Sequence, residues 1–214
     1  MKTPKLLAFI LTLATAPARA EPTPNPLWQR LLEGNARFVA GQLQHPHQDA
    51  ARRSEVATGQ QPFAVVIGCS DSRTSPEILF DQGLGDLFVV RLAGNIVDDA
   101  ALGSVEFAVA SLGARLIVVL GHEKCGAVKA TVETVNGGAR PPGHIGDIVD
   151  AIRPAALVAA PRAGDPVENA IGENVREVVA RLQQASPVLA PFLKSGELQV
   201  VGARYDLAAG QVQL

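Results

Sequence analysis

The sequence predicts an α/β fold, a single domain with a mainly parallel central β-sheet flanked by helices. Short apolar runs rich in β-branched residues alternate with helical patterns along the chain, as expected for successive βαβ units. The chain has 214 residues, of which 47% are hydrophobic, so it can bury one sizeable core. Its 19 basic and 21 acidic residues nearly balance, which gives no reason to expect a nucleic-acid partner.

The first 20 residues have the pattern of a secretory signal peptide. A short basic start is followed by an apolar stretch over residues 6–16 and by an Ala-x-Ala site ending at Ala20. The apolar stretch is too short to cross a bilayer, and an uncleaved N-terminal anchor is the alternative. We expect cleavage after Ala20, export to the periplasm in a Gram-negative source, and a mature domain over residues 21–214 that is not inserted in the membrane.

The first elements of the mature chain form a helical arm and the start of the sheet. Residues 27–40 carry Leu31 and Phe38 at helical spacing, which predicts an amphipathic helix over 27–39. The loop that follows contains His45 and His47, which we interpret as solvated residues rather than a second metal site. A β-branched run at 63–67, bounded by Pro62 and Gly68, is typical of a buried strand.

The later elements alternate in the same way. Helices are predicted over residues 76–80, 100–111, 127–135, 149–158 and 166–184, with a turn at 191–194. Strands are predicted over 87–91 and 116–120, and a last strand over 198–201 is expected at an edge of the sheet. The stretch 136–146 is rich in Gly and Pro and is read as a loop, which contains His144.

Five chemically active side chains follow two of these strands. Cys69, Asp71 and Arg73 come after the strand at 63–67, and His122 and Cys125 come after the strand at 116–120. Parallel strands deliver their carboxyl ends to one edge of a sheet, which is where sites form in such folds. Two thiolates and an imidazole are a typical zinc donor set, so we expect one Zn²⁺ per chain.

The sequence does not decide which group occupies the fourth coordination position of such a zinc ion. Asp71 could fill it as a metal ligand, or Arg73 could hold the carboxylate in a bidentate pair, which leaves the position to water. Cys125 lies at the predicted start of a helix, which should lower the pKa of its thiol. The alternative is a disulfide, because Cys69 and Cys125 are the only cysteines and an exported chain meets an oxidising compartment.

With these motifs in view, the chain resembles the β-class carbonic anhydrases. The resemblance is carried by Cys-x-Asp-x-Arg from Cys69 to Arg73 and by His-x-x-Cys from His122 to Cys125. It extends from residues 28–38 to residues 201–206, which is nearly the whole mature chain. It implies a zinc lyase that reversibly hydrates CO₂ to bicarbonate and a proton with a zinc-bound hydroxide.

The resemblance also implies roles for individual residues. Cys69, His122 and Cys125 correspond to the permanent zinc ligands, while Asp71 and Arg73 correspond to the catalytic dyad. Further residues correspond to the family's substrate pocket, and these are Gln60, Phe88 and Gly126. The helical arm at the N-terminus implies a homodimer or a dimer of dimers, with Gln60 reaching the site from across the dimer interface.

Two other functions are compatible with the same residues. An enzyme of this fold could hydrolyse carbonyl sulfide or carbon disulfide, and a relative that had lost hydration could be a non-catalytic zinc-binding or redox protein. Retention of Gln60, Asp71 and Arg73 argues against a non-catalytic zinc-binding or redox protein. Val66 stands where the bicarbonate-regulated subtype has tryptophan, so the resemblance favours the open subtype.

Overall fold

A mainly parallel sheet runs through residues 25–214, which are the residues that this computed structural model describes. Its strands are β1 (Ala64–Gly68), β2 (Leu87–Arg91), β3 (Leu116–His122), β4 (Gln199–Tyr205) and β5 (Val212–Gln213). They are arranged in the order β2-β1-β3-β4-β5, with β5 alone antiparallel to its neighbour. The predicted α/β class is confirmed, and the signal peptide prediction lies outside the described residues.

Helices cover both faces of this sheet. They are α1 (Pro26–Val39), α2 (Ala50–Glu55), α3 (Pro76–Leu79), α4 (Asp99–Ala110), α5 (Gly126–Val135), α6 (Ile145–Ala159), α7 (Pro166–Gln184) and α8 (Ala190–Ser195). Acidic or amide side chains cap several of them: Asp98 accepts from the N–H of Ala101, and Asp165 accepts from Val167 and Glu168. Among residues 25–214, none of the helices combines the length and the apolar character that a bilayer crossing requires.

Most predicted elements match the structure, and several differ in extent or kind. Helix α6 begins at Ile145, four residues before the predicted helix and inside the stretch predicted as a loop, and the predicted turn at 191–194 is helix α8. β3 runs two residues past the predicted end, so His122 belongs to the strand itself. The prediction for the last strand was wrong in length and place, because β4 reaches Tyr205 and pairs with β5 at its end. Helix α2 was not predicted, and it begins where Asp49 accepts a hydrogen bond from the N–H of Arg52.

The two central strands account for the core. All residues of β1 and β3 are buried, which explains why both read as continuous apolar runs rather than alternating ones. Side chains such as Val65 and Ile117 pack with α4 and α7, while Val66 and Val118 pack on the opposite face with α1. The carboxyl ends of β1 and β3 are thereby held side by side, with Gly68 in register with Leu120.

Helix α7 approaches the sheet closely because two strand positions are glycine. A Cβ atom at Gly121 would lie 2.7 Å from Cγ2 of Val175, and one at Gly202 would lie 2.8 Å from Cγ1 of the same valine. Val175 therefore sits directly over β3 and β4. The position of α7 along the sheet is set by this contact.

Two buried carboxylates tie the loop that follows α1 to the body of the domain. Asp81 accepts from the Arg37 side chain at 2.6 Å and from backbone N–H groups of Gln44 and His45. His47 places Nδ1 2.8 Å from a carboxylate oxygen of Asp86. His45 and His47 thus help to attach this loop to the domain. In the described part of the chain the metal-ligand cluster lies elsewhere.

Candidate metal centre

Three donor side chains converge at the carboxyl edge of the sheet. Cys69 follows β1, His122 ends β3, and Cys125 is the residue that caps the start of α5. Their ligand atoms all lie within 4.8 Å of one another, and the residues are only 5%, 1% and 2% exposed. The set is therefore both close enough for one small cation and shielded from bulk water.

The imidazole of His122 is oriented for metal binding. Its Nδ1 lies 2.8 Å from the carbonyl oxygen of Glu123, so a proton on Nδ1 is donated to that oxygen. This tautomer leaves Nε2 with a lone pair, and Nε2 is buried without a hydrogen-bond partner among the described residues. A buried, unpaired nitrogen beside two sulfurs is what a zinc ligand requires, and the hydrogen bond from Nδ1 to the Glu123 carbonyl fixes the orientation of the ring.

Cys69 and Cys125 are both free thiols, which does not favour the disulfide alternative. The pKa of Cys69 is lowered, chiefly because the thiol of Cys125 donates to it, with further help from the N–H of Gly94. The pKa of Cys125 is raised by the same shared proton and by burial. The predicted lowering at Cys125 was therefore wrong for the free thiol pair, although the N–H groups of Val128 and Ala127 act in the predicted direction.

Beside the donor set, Asp71 is held by Arg73 in a bidentate pair. Nε of Arg73 lies 2.9 Å from Oδ1 of Asp71 and Nη2 lies 2.7 Å from Oδ2, and the Arg73 backbone N–H also donates to Oδ1. These hydrogen bonds from Arg73 hold the pKa of Asp71 well below its ordinary value. The carboxylate remains near the imidazole, with Oδ2 3.8 Å from Nε2 of His122, but it lies outside the three-residue donor cluster.

The three predicted pocket residues are placed differently from one another. Gly126 is exposed, follows Cys125 directly, and has open space where a Cβ atom would lie. Phe88 lies on β2 in register with Val65 and packs against the core shared with α4 and α7, not in the cluster that contains the thiols. Gln60 is exposed and precedes β1, so it lies toward the amino end of the strand whose carboxyl end leads to Cys69.

Several residues that hold the site were not foreseen from the sequence. Arg91 donates to the carbonyl oxygen of Cys69 at 2.9 Å and to that of Asp71 at 2.6 Å, so it braces the loop after β1. Gly94, in a 3₁₀ turn after β2, donates its N–H to Sγ of Cys69 at 3.2 Å. No sequence signal identified the sulfur as the partner of this turn.

The fold and this site together define a class of protein, an α/β enzyme with a candidate Cys-His-Cys metal centre and an adjacent arginine-held carboxylate. The family model described as carbonic anhydrase matches residues 64–212. A carbonic anhydrase of Mycolicibacterium smegmatis is 49% identical over 90% of this chain and 95% of its own, and carbonic anhydrase 2 of Mycobacterium tuberculosis is 45% identical over 90% and 94%.

Solved structures agree with these relatives. The β-carbonic anhydrase CcaA is 29% identical, covers 86% of this chain and 93% of its own, and superposes with a TM-score of 0.67. A Coccomyxa β-carbonic anhydrase solved with acetazolamide is 28% identical, with 90% and 86% covered and a TM-score of 0.67. The chain belongs to the β-carbonic anhydrase family and catalyses the reversible hydration of CO₂ to bicarbonate and a proton.

Proposed function

We propose that this chain hydrates CO₂ with one zinc ion held by Cys69, His122 and Cys125, while Arg73 keeps Asp71 off the metal. The observation that carries the proposal is the buried, unpartnered Nε2 of His122 beside two free thiols. When bound, zinc supplies an acidified water that acts as hydroxide near neutral pH. The protein's own residues supply the orientation.

The dyad is the second part of this proposal. Because Arg73 engages both oxygens of Asp71, the carboxylate stays ionised at neutral pH and cannot swing freely toward the donor set. Its remaining lone pairs are available to accept a hydrogen bond from a water at the site. Asp71 then orients the nucleophile, and the arrangement supports the open form of the site over the form that Asp71 closes.

We further infer that the working unit is a homodimer or a dimer of dimers. Gln60 is exposed at the amino end of β1, away from its own chain's Cys69, so a second copy is needed to bring this amide to a site. Among the strands that the structure describes, β2 lies at one end of the order and pairs only with β1, and all five of its residues are partly exposed, which leaves a sheet edge for another copy. Export through the predicted signal peptide, cleaved after Ala20, also remains part of the proposal.

The primary experiment is stopped-flow CO₂ hydration with a pH indicator, on the chain from Glu21 and with zinc measured on the same sample. We expect about one zinc per chain and hydration at neutral pH that is lost in Asp71→Ala. The matched control is Asp150→Ala, because Asp150, at an exposed position of α6, also accepts two N–H donors from an arginine, Arg140. Full zinc with hydration only at alkaline pH would show instead that Asp71 closes the site.

The dimer proposal has its own test, which uses two inactive chains. Asp71→Ala keeps Gln60, and Gln60→Ala keeps the complete metal centre, so each variant alone should be impaired. If Gln60 acts across the interface, mixed dimers regain one intact site and the mixture recovers activity. No recovery on mixing, with exchange of chains verified by mass, would remove Gln60 from the partner's site. Mass analysis of the periplasmic fraction tests cleavage after Ala20.

A further inference from the structure

One buried side chain of α7 reaches the turn that contacts the first thiol. Asn174 is 2% exposed, and its Nδ2 donates to the carbonyl oxygen of Gly94 at 2.8 Å. The N–H of Gly94 in turn donates to Sγ of Cys69 at 3.2 Å. A continuous hydrogen-bonded path therefore links the middle of α7 to a sulfur of the candidate metal centre.

The packing around Gly94 also restricts its backbone conformation, independently of the hydrogen bond from Asn174. Its backbone is left-handed, with φ at 72° and ψ at 20°, a conformation that glycine adopts without steric cost. A Cβ atom at this position would lie 2.5 Å from Cδ1 of Ile152 and 3.2 Å from the Cβ of Ala127. The residue is thus enclosed by α5 and α6, and Asn174 fixes the direction of its carbonyl group. The carbonyl and the N–H belong to two peptide planes joined by the φ and ψ angles of Gly94, and because the packing restricts these angles, holding the carbonyl also holds the N–H.

The contact between α7 and the sheet determines where Asn174 stands. Val175, the next residue, is seated over Gly121 and Gly202, which sets the height of the helix above β3 and β4. At the first turn of the same helix, Glu168 accepts a hydrogen bond from the backbone N–H of Lys124 at 3.1 Å. Helix α7 therefore contacts the Gly94 turn, which donates to the Cys69 sulfur, and the turn between His122 and Cys125.

We propose that Asn174 is a positioning residue, which holds Gly94 so that its N–H donates to the Cys69 sulfur when that sulfur ligates the metal. Hydrogen bonds to a metal-bound thiolate orient the sulfur and reduce its electron donation to the metal. Asn174 does not touch the reacting atoms, so it acts only through Gly94. This inference rests on the proposed function, namely that the site holds zinc.

The test uses Asn174→Leu, which has a similar volume and no donor. Cobalt(II) replaces zinc in the purified protein, and the thiolate-to-cobalt charge-transfer absorption is recorded. Loss of the N–H···S bond raises the energy of the sulfur lone pairs, so the band should move to longer wavelength. Zinc affinity, measured by competition with a chromogenic chelator, should fall on the order of 10-fold to 100-fold, as for other outer-shell partners of metal ligands. Asn174→Ser, whose hydroxyl is too short to reach Gly94, gives the same readouts if the leucine variant folds poorly.

The control is Asn35→Ala, because Asn35 is also a buried asparagine whose Nδ2 donates to backbone carbonyls, those of Leu79 and Gly210. It should lower the melting temperature and leave the cobalt band and zinc affinity unchanged. If the Asn174 variants do the same, the residue is only structural and the inference is overturned. If the unsubstituted protein binds neither zinc nor cobalt, the proposed function itself fails, which is a distinct outcome.

Discussion

Adding one methyl group at Gly121 should destabilise the protein through α7. In Gly121→Ala the new Cβ would lie 2.7 Å from Cγ2 of Val175 and 3.3 Å from Cγ2 of Ile171. Carbon atoms at optimal contact are roughly 3.5–4.0 Å apart, so Val175 or its helix must move by about 1 Å. Val175 is β-branched and in a helix strongly prefers one rotamer, so rotation offers little relief.

The expected cost is that of overpacking a core, about 1–3 kcal/mol. For a domain of this size each kcal/mol lowers the melting temperature by roughly 2–4 °C, so the midpoint should fall by about 2–12 °C. The measurement is a thermal melt at fixed zinc concentration, because a ligand that binds only the folded state shifts the midpoint by itself. Gly121 directly precedes His122, so the zinc affinity measured on the same samples reports whether the displaced helix disturbs the centre.

A matched control makes the same glycine-to-alanine change at a position where it should increase stability. Gly103 lies within α4 and has nothing within 4 Å of the place where a Cβ atom would stand, so Gly103→Ala should stabilise the protein by about 0.5–1 kcal/mol. In the double variant Gly121→Ala/Val175→Ala the clash is gone, and the two changes should cost less than their sum. If Gly121→Ala melts with or above the unsubstituted protein, the close approach of α7 is not what sets the packing here.

Three further outcomes are expected. Arg73→Leu removes both side-chain hydrogen bonds to Asp71. It should reduce CO₂ hydration at neutral pH on the order of 10-fold to 100-fold while the zinc content stays the same. Unchanged activity would exclude a role for the Asp71–Arg73 pair. Removing zinc with a chelator should make Cys69 and Cys125 reactive toward a disulfide reagent and lower the melting temperature; equal reactivity before chelation would mean that the metal does not cover them. The pKa of Asp81 is lowered in the fold because hydrogen bonds from Gln44, Arg37 and His45 outweigh the effect of its burial. Asp81→Asn should therefore be less stable than the unsubstituted protein at neutral pH, and this difference should shrink as the pH falls below about 4. A difference that is independent of pH would contradict that assignment.

The elements with a continuous local signal were predictable from the sequence. Helix α7 was predicted to its exact bounds, because Pro166 opens it and the apolar periodicity persists to its end. The end of β4 was missed because Gly202 and Arg204 interrupt the apolar run, and the strand is completed by pairing with β3 along its whole length. Tertiary pairing extends that strand where local propensity does not.

The ligand set was predictable for a related reason. Cys69 and His122 stand at the ends of two apolar strands that pair in parallel, so the sequence alone brings them to one edge. The groups that support them are distant in sequence. Gly94 lies 25 residues from Cys69, and Asn174 lies 80 residues from Gly94, so neither contact leaves a local pattern. Tertiary packing makes both contacts, the first between the turn after β2 and the loop after β1, and the second between α7 and that turn.

The two thiols show how these supports complement each other. In the free pair one proton is shared, so the pKa of Cys69 falls at the expense of Cys125. Each sulfur nevertheless has backbone donors of its own, Gly94 for Cys69 and the start of α5, Ala127 and Val128, for Cys125. A zinc ion needs both sulfurs as thiolates, and these separate donors favour the charged form of each one. Two adjacent negative sulfurs are therefore supported by two separate segments, a turn that α7 holds and a helix N-terminus that the sequence had already indicated.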